Sequence, residues 1–230
     1  MARRRNGVHI TLTNNVFGVA VFLWSLTSVV NGYYICAPNQ WEGIQDVVTG
    51  TEVAGTLTVI QSTTRFSFDV NNTRIAASTS GSRNGGLFKK DFLFLYQQRR
   101  VYIMDGGRCR AQQLLHDFPS PCLPQTFTFS WGIMWFGLPG STNNLYMFGY
   151  KGAVGDLYCH VQVSDETQIP VTMQQTGTVN NAPVFRTTNY ANVTLGIKNP
   201  DVFTLPSICK TAEVEGTFDA PAYFIGLNFQ

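Results

Sequence analysis

The stretch L-G-I-K-N-P-D-V-F-T-L-P-S-I-C occupies residues 195–209. It leaves a strand-like segment, passes through two prolines and ends at Cys209. A second block, C-A-P-N-Q-W-E-G, occupies residues 36–43 and follows an apolar N-terminal segment. A cysteine therefore stands at each end of the region 36–209, and the pattern inside this region decides the fold class.

Apolar and polar residues alternate along most of this region, which is typical of β-strands. In residues 65–77 the alternation surrounds Asn71-Asn72, so we predict a hairpin with its turn there. Residues 92–104 predict a second hairpin with a polar turn at 97–100. Further strands are predicted at 127–131, 145–150, 157–163, 169–173 and 190–197, and prolines make 114–124 a loop. No window sustains a helical apolar stripe, so the sequence predicts an all-β sandwich or a barrel-like pair of curved sheets.

Residues 1–32 have the pattern of a signal peptide. Three arginines at 3–5 precede an apolar run from Val16 to Val30, and Gly32 suits the end of a cleavage site. A membrane anchor is the alternative, but a run of about 15 residues is short for a span of about 20. We therefore predict that a single β domain, 33–230, is secreted into the extracellular space.

Charge and motifs exclude several classes of function. Removal of the three arginines leaves 13 of the 16 basic residues against 14 acidic ones, so no nucleic-acid partner is expected. Six of the 13 remaining basic residues fall within 89–110. This segment is either a solvated hairpin or, alternatively, a contact surface for anionic lipid headgroups. Cys159 and His160 are adjacent on a strand and so point to opposite faces. With no catalytic motif present, we predict that the protein is not an enzyme.

The cysteines and the sequons fit an extracellular protein. The five cysteines (Cys36, Cys109, Cys122, Cys159 and Cys209) are 73, 13, 37 and 50 residues apart, unlike the close pairs of a zinc site. In a secreted chain such spacing indicates disulfides, and an odd count leaves one cysteine over. Asn71-Asn72-Thr73 and Asn192-Val193-Thr194 are acceptor sequons, so we predict glycosylation at Asn71 and Asn192.

Aromatic residues make up 13% of the chain and concentrate in the predicted strands. Core packing explains any one of them, but curved sheets with many strands can also enclose a ligand cavity. The candidate lining of an apolar pocket is Phe92, Phe94, Phe127, Phe129, Trp131, Tyr146 and Phe148.

Several segments together resemble the ependymin-related family of secreted glycoproteins. The Cys-x-Pro-x-x-Trp-Glu block at 36–42 and the Leu-Gly-Ile-Lys-x-Pro-x-x-Phe-x-x-Pro-x-x-Cys block at 195–209 carry the resemblance. Segments 66–74 and 92–105 are similar to the family's two hairpins, whereas 114–150 matches poorly. The resemblance implies two curved antiparallel sheets forming a half-open barrel, like bacterial lipoprotein carriers. It also implies a deep pocket for lipid or fatty acyl chains, a homodimer, calcium binding and association with the extracellular matrix.

The resemblance also assigns particular residues. It implies disulfides Cys36–Cys159 and Cys109–Cys209, and it leaves Cys122 as a free or intermolecular thiol. No cofactor is required, and the chain has no dense acidic loop. Asn199 and Asp201 are therefore the best candidates for the calcium that the family implies.

Two functions follow from this interpretation. The first is a secreted, N-glycosylated protein that binds an apolar ligand in its pocket, with calcium-linked matrix association. The alternative is a structural matrix or cell-adhesion component that has no physiological small-molecule ligand.

Overall fold

In the computed structural model, residues 34–53, 55–137, 144–179 and 181–218 are described. The predicted signal peptide, 1–32, lies outside these residues. The described strands are β1 (Gln40–Val53), β2 (Thr56–Asp69), β3 (Arg74–Arg83), β4 (Gly86–Leu95), β5 (Arg100–Asp105), β6 (Arg108–Leu114), β7 (Thr128–Phe136), β8 (Leu145–Val154), β9 (Leu157–Ser164), β10 (Pro170–Val179), β11 (Ala182–Leu195) and β12 (Val214–Phe218). The helices of the described residues are single 3₁₀ turns at Tyr96–Gln98, Pro200–Phe203 and Ser207–Cys209. None of the described helices is long and apolar enough to cross a membrane.

The strands form one sheet in the order β12-β6-β5-β4-β3-β2-β1-β11-β10-β9-β8-β7. All neighbours pair antiparallel except β12 and β6, which are parallel. The prediction of a mostly β protein is therefore confirmed, as are the two hairpins β2–β3 and β4–β5. The described strands belong to a single sheet, where two separate sheets were expected.

The connection from β6 to β7 shows that this sheet curves. The two strands stand ten positions apart, which is about 48 Å in a flat sheet. Residues 115–127 would reach that far only when fully extended, at about 46 to 50 Å. They contain turns instead, such as the hydrogen bond from Phe127 N to Pro124 O. The sheet therefore bends toward the face that this connection crosses, which we call the inner face.

The main hydrophobic core lies on the inner face. Trp41, Phe66 and Phe68 are buried there, together with inward residues of β3, β4, β5 and β9. The 115–127 connection packs onto this layer, since the Phe118 ring lies 5.0 Å from the ring of Phe68 and 5.1 Å from that of Tyr96.

A second, smaller core lies on the opposite, outer face. Residues 195–209, which we call the C-terminal block, bring Phe203 and Cys209 onto Leu93, Tyr102 and Ala111. The C-terminal block therefore covers the outer side of β4, β5 and β6.

One β-bulge changes the predicted facing of β11. Ile44 pairs with Ala191 and Glu42 with Thr194, so β11 carries one extra residue between these pairs. Asn192, at φ 51°, takes up the irregularity. Strict alternation along the predicted strand 190–197 puts residues 191, 193, 195 and 197 on one face. That prediction is wrong for Ala191, which is exposed, while Val193 packs against the inner core.

Asp69 ties the first hairpin to the C-terminal block. Its buried carboxylate accepts hydrogen bonds from Gln40 Nε2 at 2.9 Å, Asn72 Nδ2 at 2.8 Å and Arg74 Nε at 2.7 Å. The Arg74 guanidinium in turn lies 4.1 Å from the ring centre of Phe203. Burial raises the pKa of Asp69, but the hydrogen bonds from Gln40, Asn72 and Arg74 outweigh it and hold the pKa below its usual value.

Asp69→Asn is expected to lower the free energy of unfolding at pH 7 by about 1 to 3 kcal/mol, because charge-assisted hydrogen bonds are lost. Since the folded-state pKa is depressed, this contribution is complete above the unfolded pKa of about 3.9 and disappears as the pH falls through the folded value. Urea unfolding of both proteins between pH 7 and pH 3 tests this. A difference in stability that persists unchanged at the acid end would contradict it.

Candidate functional site

Among the cavities that the described residues line, two lie on opposite faces of the β1–β4 part of the sheet. The outer groove has a volume of about 610 Å³ and lies beneath the C-terminal block. The inner-face cavity has a volume of about 370 Å³ and lies over β2, β3 and β4.

The outer groove is mixed in character. Ala76, Leu93 and Met104 supply apolar walls, and Glu42 lies at its polar end. The Glu42 carboxylate is already engaged, because it accepts hydrogen bonds from Ser67 Oγ at 2.9 Å and from the backbone N of Lys198 at 3.2 Å. Polar contacts within the protein thus occupy part of this groove.

The inner-face cavity has an apolar floor. Ile60, Phe88 and Phe92 form it, and Phe92 and Phe94 stack with ring centres 6.0 Å apart. Arg83 and Lys90 also line the cavity, together with Thr79, whose hydroxyl is hydrogen-bonded to that of Thr64 at 2.9 Å. An apolar floor with cations beside it suits a ligand that has both an apolar and an anionic part.

Next to the cavity, the inner face carries a polar layer. Across the sheet, Ile60 pairs with Thr49, Thr49 with Arg186, and Arg186 with Gln175. Arg186 is 5% exposed; its Nε donates to Thr49 Oγ1 at 3.1 Å and its Nη1 to Gln175 Oε1 at 3.4 Å. Burial lowers the pKa of the Arg186 guanidinium. Sequence reasoning missed this layer, since an arginine followed by two threonines on a strand resembles a surface residue.

The predicted pocket aromatics divide between the core and an open surface. Phe92 and Phe94 are buried in the inner core, and Phe127 and Phe148 are partly buried against it. Phe129 is 55% exposed and Tyr146 is 48% exposed, both at the β7–β8 end of the sheet. The side chain of Trp131 lies outside the described part of the structure. The cavities described above bring in Phe92 alone of this set.

The structure corrects one predicted disulfide. Residues 35–37 run antiparallel to 121–123, with hydrogen bonds Ala37 N to Pro121 O and Leu123 N to Ile35 O, both 2.8 Å. Cys36 thereby lies opposite Cys122 and is bonded to it. The implied pair Cys36–Cys159 is wrong, and so is the free thiol assigned to Cys122. The second bridge joins Cys109 to Cys209, the pair that the resemblance implies.

Cys159 is the free cysteine of the described chain, buried on the inner face of β9. Its pKa is raised by burial, against the opposing effects of Gln175 and Arg186. The outer-facing neighbour His160 lies 3.1 Å from Ser130 Oγ, and burial and the charge of Lys151 lower its pKa. The two adjacent side chains point to opposite faces, as the strand pattern predicted.

The remaining predicted residues lie on the surface. Asn71 and Asn192 are both exposed, and Asn192 also lines the outer groove. Asn199 Oδ1 accepts a hydrogen bond from the backbone N of Asp201 at 3.0 Å, where it caps the 3₁₀ turn. Among the described residues, no group of three or more His, Cys, Asp or Glu side chains could hold a metal ion.

The family model for ependymin matches residues 84–209, which is more than half of the chain. The chain belongs to the ependymin family. The match includes the second hairpin and the C-terminal block, so the resemblance found in these segments is confirmed. A search of curated proteins found no match to this ependymin-family chain.

Among solved structures, this ependymin-family chain is similar to a LolA superfamily protein from Nitrosomonas europaea, at 8% identity and a TM-score of 0.36, over 74% of this chain and 93% of the other. LprF from Mycobacterium bovis matches at 12% identity and a TM-score of 0.33, over 69% and 90% of the two chains. A DUF1329 family protein from Desulfovibrio piger matches at 8% identity and a TM-score of 0.31, over 83% and 97%.

Proposed function

We propose that this protein is a secreted glycoprotein that binds an apolar ligand, a lipid or fatty acyl chain, on the inner face of its sheet. The inner-face cavity with its floor of Ile60, Phe88 and Phe92 is the observation that carries the proposal. Its volume of about 370 Å³ falls in the range of small-molecule sites. The curvature of the sheet supports the half-open barrel that the family resemblance implies.

Secretion and a binding role, without catalysis, complete this proposal. Two disulfides are typical of an oxidising compartment, and both sequon asparagines are exposed to a modifying enzyme. The proposal has three further partners: calcium, the extracellular matrix and a second copy of the chain. The family resemblance alone supports them.

The exposed aromatic residues at one end of the sheet favour a second candidate, a matrix or adhesion component. Phe129, Trp135, Phe136 and Tyr146 are exposed along β7 and β8, and β7 is an edge strand of the described sheet. Exposed apolar patches and unpaired edges serve as protein contact sites. Mass spectrometry of organic extracts from natively purified protein separates the candidates: co-purified acyl lipid supports the carrier, and an empty protein with tight matrix binding supports the rival.

Ile60→Trp is expected to weaken binding of a fluorescent fatty acid by at least about tenfold, because the indole would fill the inner-face cavity. The matched control is Val59→Trp, one residue along β2 and on the outer face, which is expected to leave binding unchanged. Fluorescence titration of the two variants and the unmodified protein measures this. Equal loss of binding in both variants, or in neither, would contradict the assignment of the cavity.

A further inference from the structure

We propose that Arg186 anchors the carboxylate of a long-chain acid whose hydrocarbon part lies in the inner-face cavity. This inference rests on the proposed function, since it assigns the head group of the ligand for that same site.

The charge balance of the inner face is the first argument. The inward positions of β1 to β4 and of β8 to β11 carry three cations, Arg83, Lys90 and Arg186, and no carboxylate. The described ion pairs, Asp69–Arg74 and Asp117–Arg99, involve none of the three. The inward positions of β5 and β6 add Asp105, Arg108 and Arg110, all exposed, so the inner face as a whole keeps an excess of cations that an anionic ligand would balance.

The environment of Arg186 is the second argument. A buried cation without a counter-ion is strongly unfavourable, and the described structure offers Arg186 only the neutral oxygens of Thr49 and Gln175. A carboxylate accepts two parallel hydrogen bonds from a guanidinium, which is the geometry that arginine favours.

One further buried polar atom next to Arg186 has no hydrogen-bond partner. It is Thr188 Oγ1, in a residue that is 0% exposed. Thr188 is the next inward residue after Arg186 on β11. A hydroxyl that lacks an acceptor beside an arginine that lacks a counter-ion fits a carboxylate bound between them.

The position of the cavity is the third argument. Its wall residue Ile60 stands two strands from Arg186 through Thr49, or about 10 Å across the sheet. The floor residue Phe88 stands on β4, four strands from β11, which is about 19 Å in a flat sheet and less across the concave inner face. A long acyl chain that starts at Arg186 therefore passes Ile60 and extends toward Phe88, whereas Phe92 lies a further four residues along β4. Arg83 and Lys90 line the cavity itself, which Arg186 does not, and this makes them the competing anchors.

The test compares hexadecanoic acid with hexadecan-1-ol as competitors of a bound fluorescent fatty acid on the full secreted chain. We expect the acid to bind about ten to a hundred times more tightly than the alcohol, because only the acid forms charge-assisted hydrogen bonds with Arg186. Equal affinities would overturn the anchor and leave the proposed function intact. Failure of both competitors and of the fluorescent probe to bind would overturn the proposed function itself.

Variants then locate the anchor. Arg186→Gln is expected to remove the preference for the acid without changing the affinity for the alcohol, and Arg186→Lys is expected to restore part of it. Arg100→Gln, at an exposed position, is the control that should change neither affinity. Loss of the preference in Arg83→Gln or Lys90→Gln, with Arg186→Gln unaffected, would overturn the assignment. If Arg186→Gln is not secreted, Arg186→Lys, Arg83→Gln and Lys90→Gln still decide the proposal: a weakened preference in Arg186→Lys alone supports the anchor, and loss of the preference in Arg83→Gln or Lys90→Gln overturns it.

Discussion

Replacing Cys36 or Cys122 by serine is expected to lower the free energy of unfolding by about 4 to 5 kcal/mol and to reduce secretion sharply. The bridge between them closes a loop of 86 residues, and the loop-closure model gives about 4.6 kcal/mol for a loop of that length. It also fastens the antiparallel pairing of 35–37 with 121–123, which holds the 115–127 connection on the inner face. Urea unfolding and the secreted yield of each variant measure the two effects.

Cys159→Ser is the matched control for these variants. Its Sγ makes only a 3.6 Å hydrogen bond from Gln175 Nε2 and a 3.8 Å contact with the oxygen of Leu157, and a serine hydroxyl can replace both. Its cost should therefore stay near 1 kcal/mol. If Cys159→Ser proved as damaging as Cys36→Ser while Cys122→Ser proved harmless, the pairing implied by the family resemblance would be correct. Peptide mapping of the non-reduced protein identifies the bonded pairs directly.

The local alternation of apolar and polar residues was enough to predict the mostly β fold and two of its hairpins. Phe66 and Phe68 alternate with polar neighbours because both rings face the apolar inner core while Ser67 and Asp69 face the outer side, and this period of two reveals a hairpin without any long-range information. The order of the strands in the sheet cannot be predicted from local patterns. Nothing near β1 in the sequence indicates that it pairs with β11, about 140 residues away, and only the assembled sheet specifies that pairing.

The candidate site was harder to predict for the same reason. Phe92 was recognised as a pocket residue because it is aromatic, but Phe129 has the same strand pattern and is exposed. Arg186 donates hydrogen bonds to Thr49 on β1 and Gln175 on β10, and the sequence does not indicate that these residues lie beside it. The position of Cys122 depends on a backbone pairing within a proline-rich loop, and spacing between cysteines carries no information on such a pairing.

Trp41→Ala is expected to lower the free energy of unfolding by about 3 to 5 kcal/mol, the usual cost of removing a large buried aromatic side chain. Trp41 is fully buried and lies at the junction of three strands. Its ring centre is 4.7 Å from that of Phe66 in an edge-to-face arrangement, 6.1 Å from that of Phe68 and 6.0 Å from that of Tyr190. These contacts link β1 to both of its neighbours, which gives a physical role to the tryptophan of the block 36–43.

Two variants make this test specific. Trp41→Phe keeps an aromatic ring and removes an indole Nε1 that is buried without a hydrogen-bond partner, so it should cost clearly less than Trp41→Ala. Trp135→Ala removes a half-exposed indole from β7 and should cost less than about 1 kcal/mol. Urea unfolding followed by far-ultraviolet circular dichroism measures all three, since tryptophan fluorescence changes with the substitutions themselves. Equal costs for Trp41→Ala and Trp135→Ala would show that Trp41 does not hold β2 and β11 together.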